Sequence, residues 1–284
     1  MQLDTQQLEI RPLSDHTGAE VRGIDLSRPV DGETRARLNR AFVDHSVLVI
    51  RKQTLTAPQL LTGVQLFGDV FHQHNTRFAL PECPEIHYLS NQDRYDDGKR
   101  YIPGAGYHTD HSNAAMPPKA TILLAIKLPD SGGDTQYVNM HRAYEDLPDD
   151  IRKRIANLKG IHVYQSKHSE RKLTGLPPEA KGRVPEFVRH PIVRTHPETG
   201  RKSLYLNPIR IESIEGMGEA EALTLLDELL AHATQEKYQY RHRWQPGDMV
   251  MWDNRCLLHK ANGDYDHSQV RYMYRVMLQG DTPY

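Results

Sequence analysis

The chain has 284 residues, of which 38% are hydrophobic and 26% charged, the balance of a globular protein and not of a disordered one. Its 36 Lys and Arg nearly cancel 37 Asp and Glu, leaving a formal net charge of −1, so nothing suggests a nucleic-acid partner held by a global positive field. Two distant cysteines, Cys83 and Cys256, exclude a disulfide framework or a Cys-rich zinc site, and no run approaches the roughly 18 apolar residues of a membrane span.

The N-terminal residues Met1–Asp15 lack a basic segment followed by an apolar run, so a cytoplasmic protein with no membrane partner is expected. Leu8–Arg11 and Ala19–Val21 read as short strands around a turn at Gly18. Gly32–His45 reads as a helix, because Leu38, Ala41 and Phe42 share one face. Val47–Ile50 is an aliphatic run of the kind found in buried strands. Thr56 is a helix N-cap, with Pro58 in the first turn and a stripe through Leu60, Leu61, Val64 and Phe67. Ile86–Ser90 is a strand and Asn91–Gly106 a polar, Gly-containing loop. Thr121–Lys127 is a buried strand, and the turn Ser131–Thr135 leads into another through Tyr137 and Val138. Ala143–Asn157 is helical with a break at Leu147-Pro148. Lys167–Pro185 is a basic loop rich in Pro and Gly. Val188–Thr195 and Ser203–Leu206 are expected to pair as a hairpin. Glu219–Thr234 is a helix on the spacing of Leu223, Leu226, Leu230 and Ala233, and Met249–Trp252 and Tyr272–Leu278 are strands. Many short strands with a few helices predict one antiparallel β-rich domain spanning residues 1–284.

Sixteen histidines are the unusual count, and they point toward metal or acid–base chemistry. On an extended segment, residues two apart face the same way, so His108 and Asp110 can offer a nitrogen and an oxygen to one ion. The same spacing occurs at His168/Glu170, in the basic loop, and at His196/Glu198, in a hairpin turn where Pro197 and Gly200 already supply a structural reason. His259, just past a turn after the strand Met249–Trp252, offers a third ligand. Two imidazoles and one carboxylate leave adjacent coordination positions open, which suits Fe(II) binding a chelating cosubstrate and then O2. A zinc hydrolase could use the same triad, and a non-catalytic metal-binding module could carry it. Arg271 and Arg275 lie four apart on a mostly apolar strand, so both face one side. Inward-facing guanidiniums need anions, and a dicarboxylate cosubstrate supplies one.

Together these residues resemble the taurine dioxygenase/2,4-dichlorophenoxyacetate dioxygenase (TauD/TfdA) family of Fe(II)/2-oxoglutarate oxygenases, over nearly the whole chain. The resemblance is carried by Gly18-Ala19-Glu20, Gly23-Ile24-Asp25-Leu26, Phe67-Gly68, His108-Thr109-Asp110, Pro117-Pro118, Gly132-Gly133-Asp134-Thr135, Val193–Pro197, Trp252–Arg255 and His259. It implies a double-stranded β-helix, or jelly roll, wrapped by helices. It implies iron on His108, Asp110 and His259, with 2-oxoglutarate and O2 as cosubstrates and succinate and CO2 as products. Thr135 and Arg271 would hold the far carboxylate of 2-oxoglutarate, and its keto acid end would chelate the metal. Arg275 would face the anionic group of the prime substrate. The interval from His259 to Arg271 is one residue longer than in the taurine enzyme, and if the gap falls outside Gly263–Gln269 the two arginines exchange roles.

The substrate side departs from the taurine enzyme. Gly104 stands where that enzyme has asparagine, Gln73 where it has histidine, and Arg210 lies where an aromatic residue is expected. The segments His232–Trp244, Gly247–His259 and Tyr164–Lys167 are closer to the aryloxyacetate-cleaving branch. A small carboxylate or sulfonate is therefore the expected substrate, with His74, Asn91, His111, Lys167 and Arg210 as candidate contacts beside Arg275. Residues 160–186 are expected to border the active site, and a homo-oligomer, dimer or tetramer, is expected.

Overall fold

The structure is a computed structural model, and it describes residues 8–73, 75–94, 98, 103–173, 175–176, 180 and 182–284. The chain opens with β1 (Glu9–Pro12), β2 (Ala19–Arg22), α1 (Gly32–His45), β3 (Val47–Ile50) and α2 (Ala57–Val64). It continues through β4 (Ala79–Leu80), β5 (Cys83–Ser90), β6 (Ala120–Lys127), β7 (Thr135–Asn139), α3 (Met140–Glu145), α4 (Asp149–Ile155) and β8 (Lys159–His162). The last part holds β9 (Val188–Pro191), β10 (Val193–Thr195), β11 (Lys202–Leu204), β12 (Ile211–Ile214), α5 (Glu219–Ala233), β13 (Gln239–His242), β14 (Met249–Asp253), β15 (Leu257–Ala261) and β16 (Tyr272–Leu278).

Local chemistry sets the helix ends. Asp31 caps α1 by accepting from the Thr34 amide at 2.8 Å, and Ser46 closes it in the left-handed region at φ 61°. At α2 the Thr56 hydroxyl and the Gln59 side chain satisfy each other's backbone amides, a capping box, with Pro58 in the first turn. The helix ends at Val64, so Phe67, expected on its stripe, instead packs into the core from the following turn.

An eight-stranded sheet runs in the order β1-β2-β3-β14-β6-β16-β5-β4, and a three-stranded sheet β13-β7-β15 lies against it. Both faces of the large sheet are covered, which is why its central strands are apolar without polar alternation. Leu48 and Ile50, Ile122 and Leu124, and Met249 and Met251 pack with α1 and α2 on one side. Their neighbours Val47 and Val49, Leu123 and Ala125, and Val250 and Trp252 face the small sheet. That second layer opens at one end into the candidate site.

The expected β-rich domain with covering helices is observed, with four corrections. Strands β2 and β3 pair in parallel, because α1 carries the chain across between them. The hairpin expected over Val188–Leu206 is only β10–β11, since Pro191 breaks the run and β9 pairs with β8. Strand β8 occupies the start of the stretch read as a loop over 160–186. Strands β12, β13 and β15 were not expected either: Ile211–Ile214 and Gln239–His242 are half polar, and His259 was placed beside a turn and not inside a strand.

Candidate metal centre

His108 and His259 are brought together by backbone pairing. The His108 amide donates to the His259 carbonyl at 3.0 Å and the His259 amide to the His108 carbonyl at 2.8 Å, an antiparallel bridge that sets the two residues directly opposite. Their rings lie 4.2 Å apart between centroids. Asp110, two residues on, turns its carboxylate between them, with Oδ1 3.8 Å from His108 Nε2 and Oδ2 3.7 Å from His259 Nε2. These separations exceed a hydrogen bond. One donor atom from each residue lies within 4.8 Å of the others, and all three side chains are buried.

The donor set fits a divalent metal. His108 Nδ1 lies 2.9 Å from the Gly106 carbonyl, an acceptor that fixes the proton there and leaves Nε2 with its lone pair toward Asp110. Burial pushes both imidazoles toward the neutral, ligating form, His108 well down and His259 to about 4. Burial alone would raise the Asp110 carboxyl, but His259, His108 and Arg275 hold it well below the usual carboxylate range. Two neutral imidazoles and a carboxylate are what a 2-His-1-carboxylate metal needs.

Several side chains hold this segment in place. Thr121 on β6 donates to Asp110 Oδ2 at 2.6 Å, and Asn254 donates to the Thr121 hydroxyl at 2.9 Å. Asn254 also accepts from the Trp252 indole at 3.1 Å, while Thr109 donates to the Asn254 carbonyl at 2.8 Å. Asn207 donates to the Thr109 carbonyl and the Ser112 hydroxyl, each at 2.8 Å. Trp252 packs its ring 4.6 Å from that of His259.

The three residues line a cavity of about 160 Å³. Thr135 and Arg271 stand in its wall: Thr135 accepts from the Trp244 indole at 3.1 Å, and Arg271 Nε donates to the Gly133 carbonyl at 3.0 Å. Arg275 enters from β16, where it lies opposite Leu123 and His87 on the flanking strands, so it shares a face with Met273 and points inward as its spacing from Arg271 predicts. Its Nη2 donates to Gln73 at 2.6 Å, so the residue that stands where the taurine enzyme has histidine joins the site, though it was not among the expected contacts. Phe71, Tyr164, Arg171 and Leu173 also line the cavity.

The other expected contacts divide. His111 lines the cavity in a left-handed conformation at φ 46°, 5.6 Å from the Phe71 ring, and Arg210 lines it while donating to the Tyr164 carbonyl at 2.7 Å. Asn91 does not reach the cavity: its side chain accepts from the Arg271 amide at 3.0 Å and donates to the Gln269 carbonyl at 2.8 Å, so it positions Arg271. Lys167 is exposed and paired with Glu219 at 2.9 Å, away from the cavity. His74 lies outside the described residues. The two other histidine–acid repeats are structural: His168 pairs with Glu219 at 3.2 Å, and His196 and Glu198 bond Asp253 and Arg255 at 3.1 and 2.7 Å. His196, Asp253 and Cys256 also cluster, but Arg255 already saturates the Asp253 carboxylate.

A β-rich fold carrying two histidines and one aspartate beside inward-facing arginines defines the class of a metal-dependent enzyme that handles anions. The chain matches the Taurine catabolism dioxygenase TauD, TfdA family over residues 9–277, and it belongs to that family. It is 33% identical over 291 residues to the alpha-ketoglutarate-dependent 2,4-dichlorophenoxyacetate dioxygenase of Cupriavidus pinatubonensis, covering 95% of this chain and 97% of the relative. It is 31% identical over 283 residues to the alpha-ketoglutarate-dependent sulfate ester dioxygenase of Pseudomonas putida, covering 98% and 91%. Among solved structures it is similar to AAD-2 in complex with Mn(II) and N-oxalylglycine, with TM-score 0.82, 30% identity and coverage of 98% and 99%. A taurine dioxygenase from Burkholderia xenovorans gives TM-score 0.82 at 34% identity, covering 97% and 90%.

Proposed function

We propose that this protein is an Fe(II)- and 2-oxoglutarate-dependent dioxygenase that hydroxylates a small anionic substrate, carboxylate or sulfonate, with release of succinate and CO2. The observation that carries this reading is the buried meeting of His108, Asp110 and His259 in a cavity that also holds Thr135, Arg271 and Arg275. Membership of the family and the relatives' dependence on alpha-ketoglutarate support it. A zinc hydrolase would have no use for the arginine-lined wall.

His108, Asp110 and His259 would hold the iron, which supplies the activation of O2 that couples loss of CO2 from 2-oxoglutarate to hydroxylation. Arg271 would pair with the far carboxylate of 2-oxoglutarate, its guanidinium aimed by the Gly133 carbonyl and its backbone by Asn91. Thr135, whose hydroxyl already accepts from Trp244, would donate its proton to the same carboxylate. Arg275 would face the substrate anion, steadied by Gln73, with His111 and Arg210 completing the wall. Downstream of β8, Tyr164, Arg171, Leu173, Val184 and Pro185 would border the site. Strand order and the likeness to solved relatives support a jelly roll as the architecture of a single domain.

The test is anaerobic purification, addition of Fe(II) and 2-oxoglutarate, and a screen of small carboxylates and sulfonates for succinate on admitting O2. Succinate formed in step with a hydroxylated product supports the reading. No succinate above the metal-free control with any anion contradicts it.

A further inference from the structure

We propose that His87 is a specificity-determining residue of the substrate pocket, donating one hydrogen bond to the acidic group that Arg275 holds. This rests on the oxygenase reading above and adds to Arg275 a second, uncharged donor for the same group.

The first argument is strand register. His87 lies on β5 directly opposite Arg275 of β16, and Leu123 of β6 lies opposite Arg275 on the other side. Opposed residues on paired strands share a face and stand about 5 Å apart at Cβ. All three line the cavity that also holds His108, Asp110 and His259. Leu123 has no polar side-chain atom, so of the two residues opposite Arg275 only His87 can donate to an oxygen.

The second argument is that both side chains hold polar atoms with nothing to bind. Arg275 Nη2 is taken by Gln73 at 2.6 Å, but its Nε is buried without an acceptor. His87 is 3% exposed, and among the described residues its ring makes no hydrogen bond. Burying an imidazole without a partner is costly, and Leu123 shows that an aliphatic side chain packs the equivalent position on the other side of Arg275. A ligand oxygen removes that cost. Burial, with Arg275 adding to it, pushes His87 down to about 3, so the ring is neutral and has one N–H to give. Arg275 Nε–H and this N–H come from adjacent strands, and each can take one oxygen of the same carboxylate or sulfonate, whose charge is met by Arg275.

The test titrates butyrate and propane-1-sulfonate into the anaerobic Fe(II)/2-oxoglutarate form, with binding read by the fluorescence of Trp252, which lines the cavity, and of Trp244. H87L and H87F both remove the donor, and H87F keeps a flat ring in its place. Each variant is expected to bind both anions about 10- to 100-fold more weakly than the parent, the range for a hydrogen bond to a charged group. Affinity for 2-oxoglutarate should stay within about twofold, since Thr135 and Arg271 are untouched. H87Q, which restores an N–H, should recover part of the loss. With a substrate found in the succinate screen the loss should fall on KM, with kcat held within about threefold. Anion binding by H87F within about threefold of the parent overturns the proposal, as does a loss that H87Q leaves undiminished. Weakened 2-oxoglutarate binding in both H87L and H87F also overturns it, by giving His87 a structural role. A parent that binds neither anion overturns it together with the role of Arg275. Anion binding that depends on His87 without succinate formation would keep this inference and defeat the oxygenase reading. Succinate formation indifferent to His87 would do the reverse.

Discussion

Thr121 offers no ligand, yet it orients the one carboxylate in the site. Its hydroxyl donates to Asp110 Oδ2 at 2.6 Å and is itself held by Asn254 at 2.9 Å. Partners of this kind typically contribute 10- to 100-fold in metal affinity. Thr121→Val keeps the shape and removes the donor, so Fe(II) affinity should fall by about 10-fold or more while the fold persists, read by anaerobic titration and circular dichroism. Unchanged affinity would show that Asp110 is oriented by other contacts. At this scale the meeting of His108 with Asp110 was legible, because a two-residue spacing is a local signal. The supporting roles of Thr121, Asn254 and Asn207 were not, because each reaches its partner through tertiary pairing: Asn207 is 98 positions from Thr109. The same pairing explains why Asn91 was misread as a substrate contact. Its polar side chain serves the backbone of the loop that leads into β16.

Gly132 and Gly133 show how one turn carries two functional groups. Gly132 has φ +73°, and a Cβ there would lie 2.3 Å from the Asp264 carbonyl oxygen. Gly133, at φ +69°, offers its carbonyl to Arg271 and would press a Cβ to 3.2 Å from that side chain. β7 starts two residues later at Thr135. Gly132→Ala must therefore shift the backbone that aims both Thr135 and Arg271, and the left-handed conformation alone costs about 1–2 kcal/mol for an L side chain. The expected result is a lower Tm together with weaker 2-oxoglutarate binding, whereas a loss of Tm with cosubstrate affinity intact would separate the turn from the site. Elements with clear periodicity or aliphatic runs, such as α1, β3 and β16, were readable to within a residue. Strands β8, β12, β13 and β15 were not, because sheet pairing stabilises segments whose own composition is mixed. Gly160 in β8 reads as loop in sequence but sits in close packing, where a Cβ would lie 2.7 Å from Ile211 Cδ1 and that side chain would have to shift.

Across the molecule, buried histidines outside the candidate site set the response to acid. Burial pushes His141 and His190 down to about 4 and His162 well below its ordinary value. Arg201 and His196 reinforce the shift at His141 against Asp253; Arg194 does so at His190, and His190 and Arg210 at His162. Unfolded histidines titrate near pH 6.5, so below that pH the unfolded chain binds more protons than the native one. The stability these groups contribute is complete above about pH 6.5 and is lost as pH falls toward about 4. Asp253, held far down by Arg255 and His196 against its burial, adds a second loss below the ordinary carboxylate range. Tm in the presence of a chelator should therefore decrease from pH 7.5 to pH 5, and a Tm that is level or higher at pH 5 would count against this assignment. The overall architecture was legible as a β-rich domain because its central strands are apolar on both faces. The layering that makes them so was not, since it depends on which sheet covers which.

On the proposed function one ferrous ion is held by His108, Asp110 and His259. Anaerobic Fe(II) titration in the presence of 2-oxoglutarate, on the parent protein and on H259A, addresses this directly. One ion per chain in the parent and loss of that tight site in the variant is the predicted result. Tight one-to-one binding retained in H259A would contradict it.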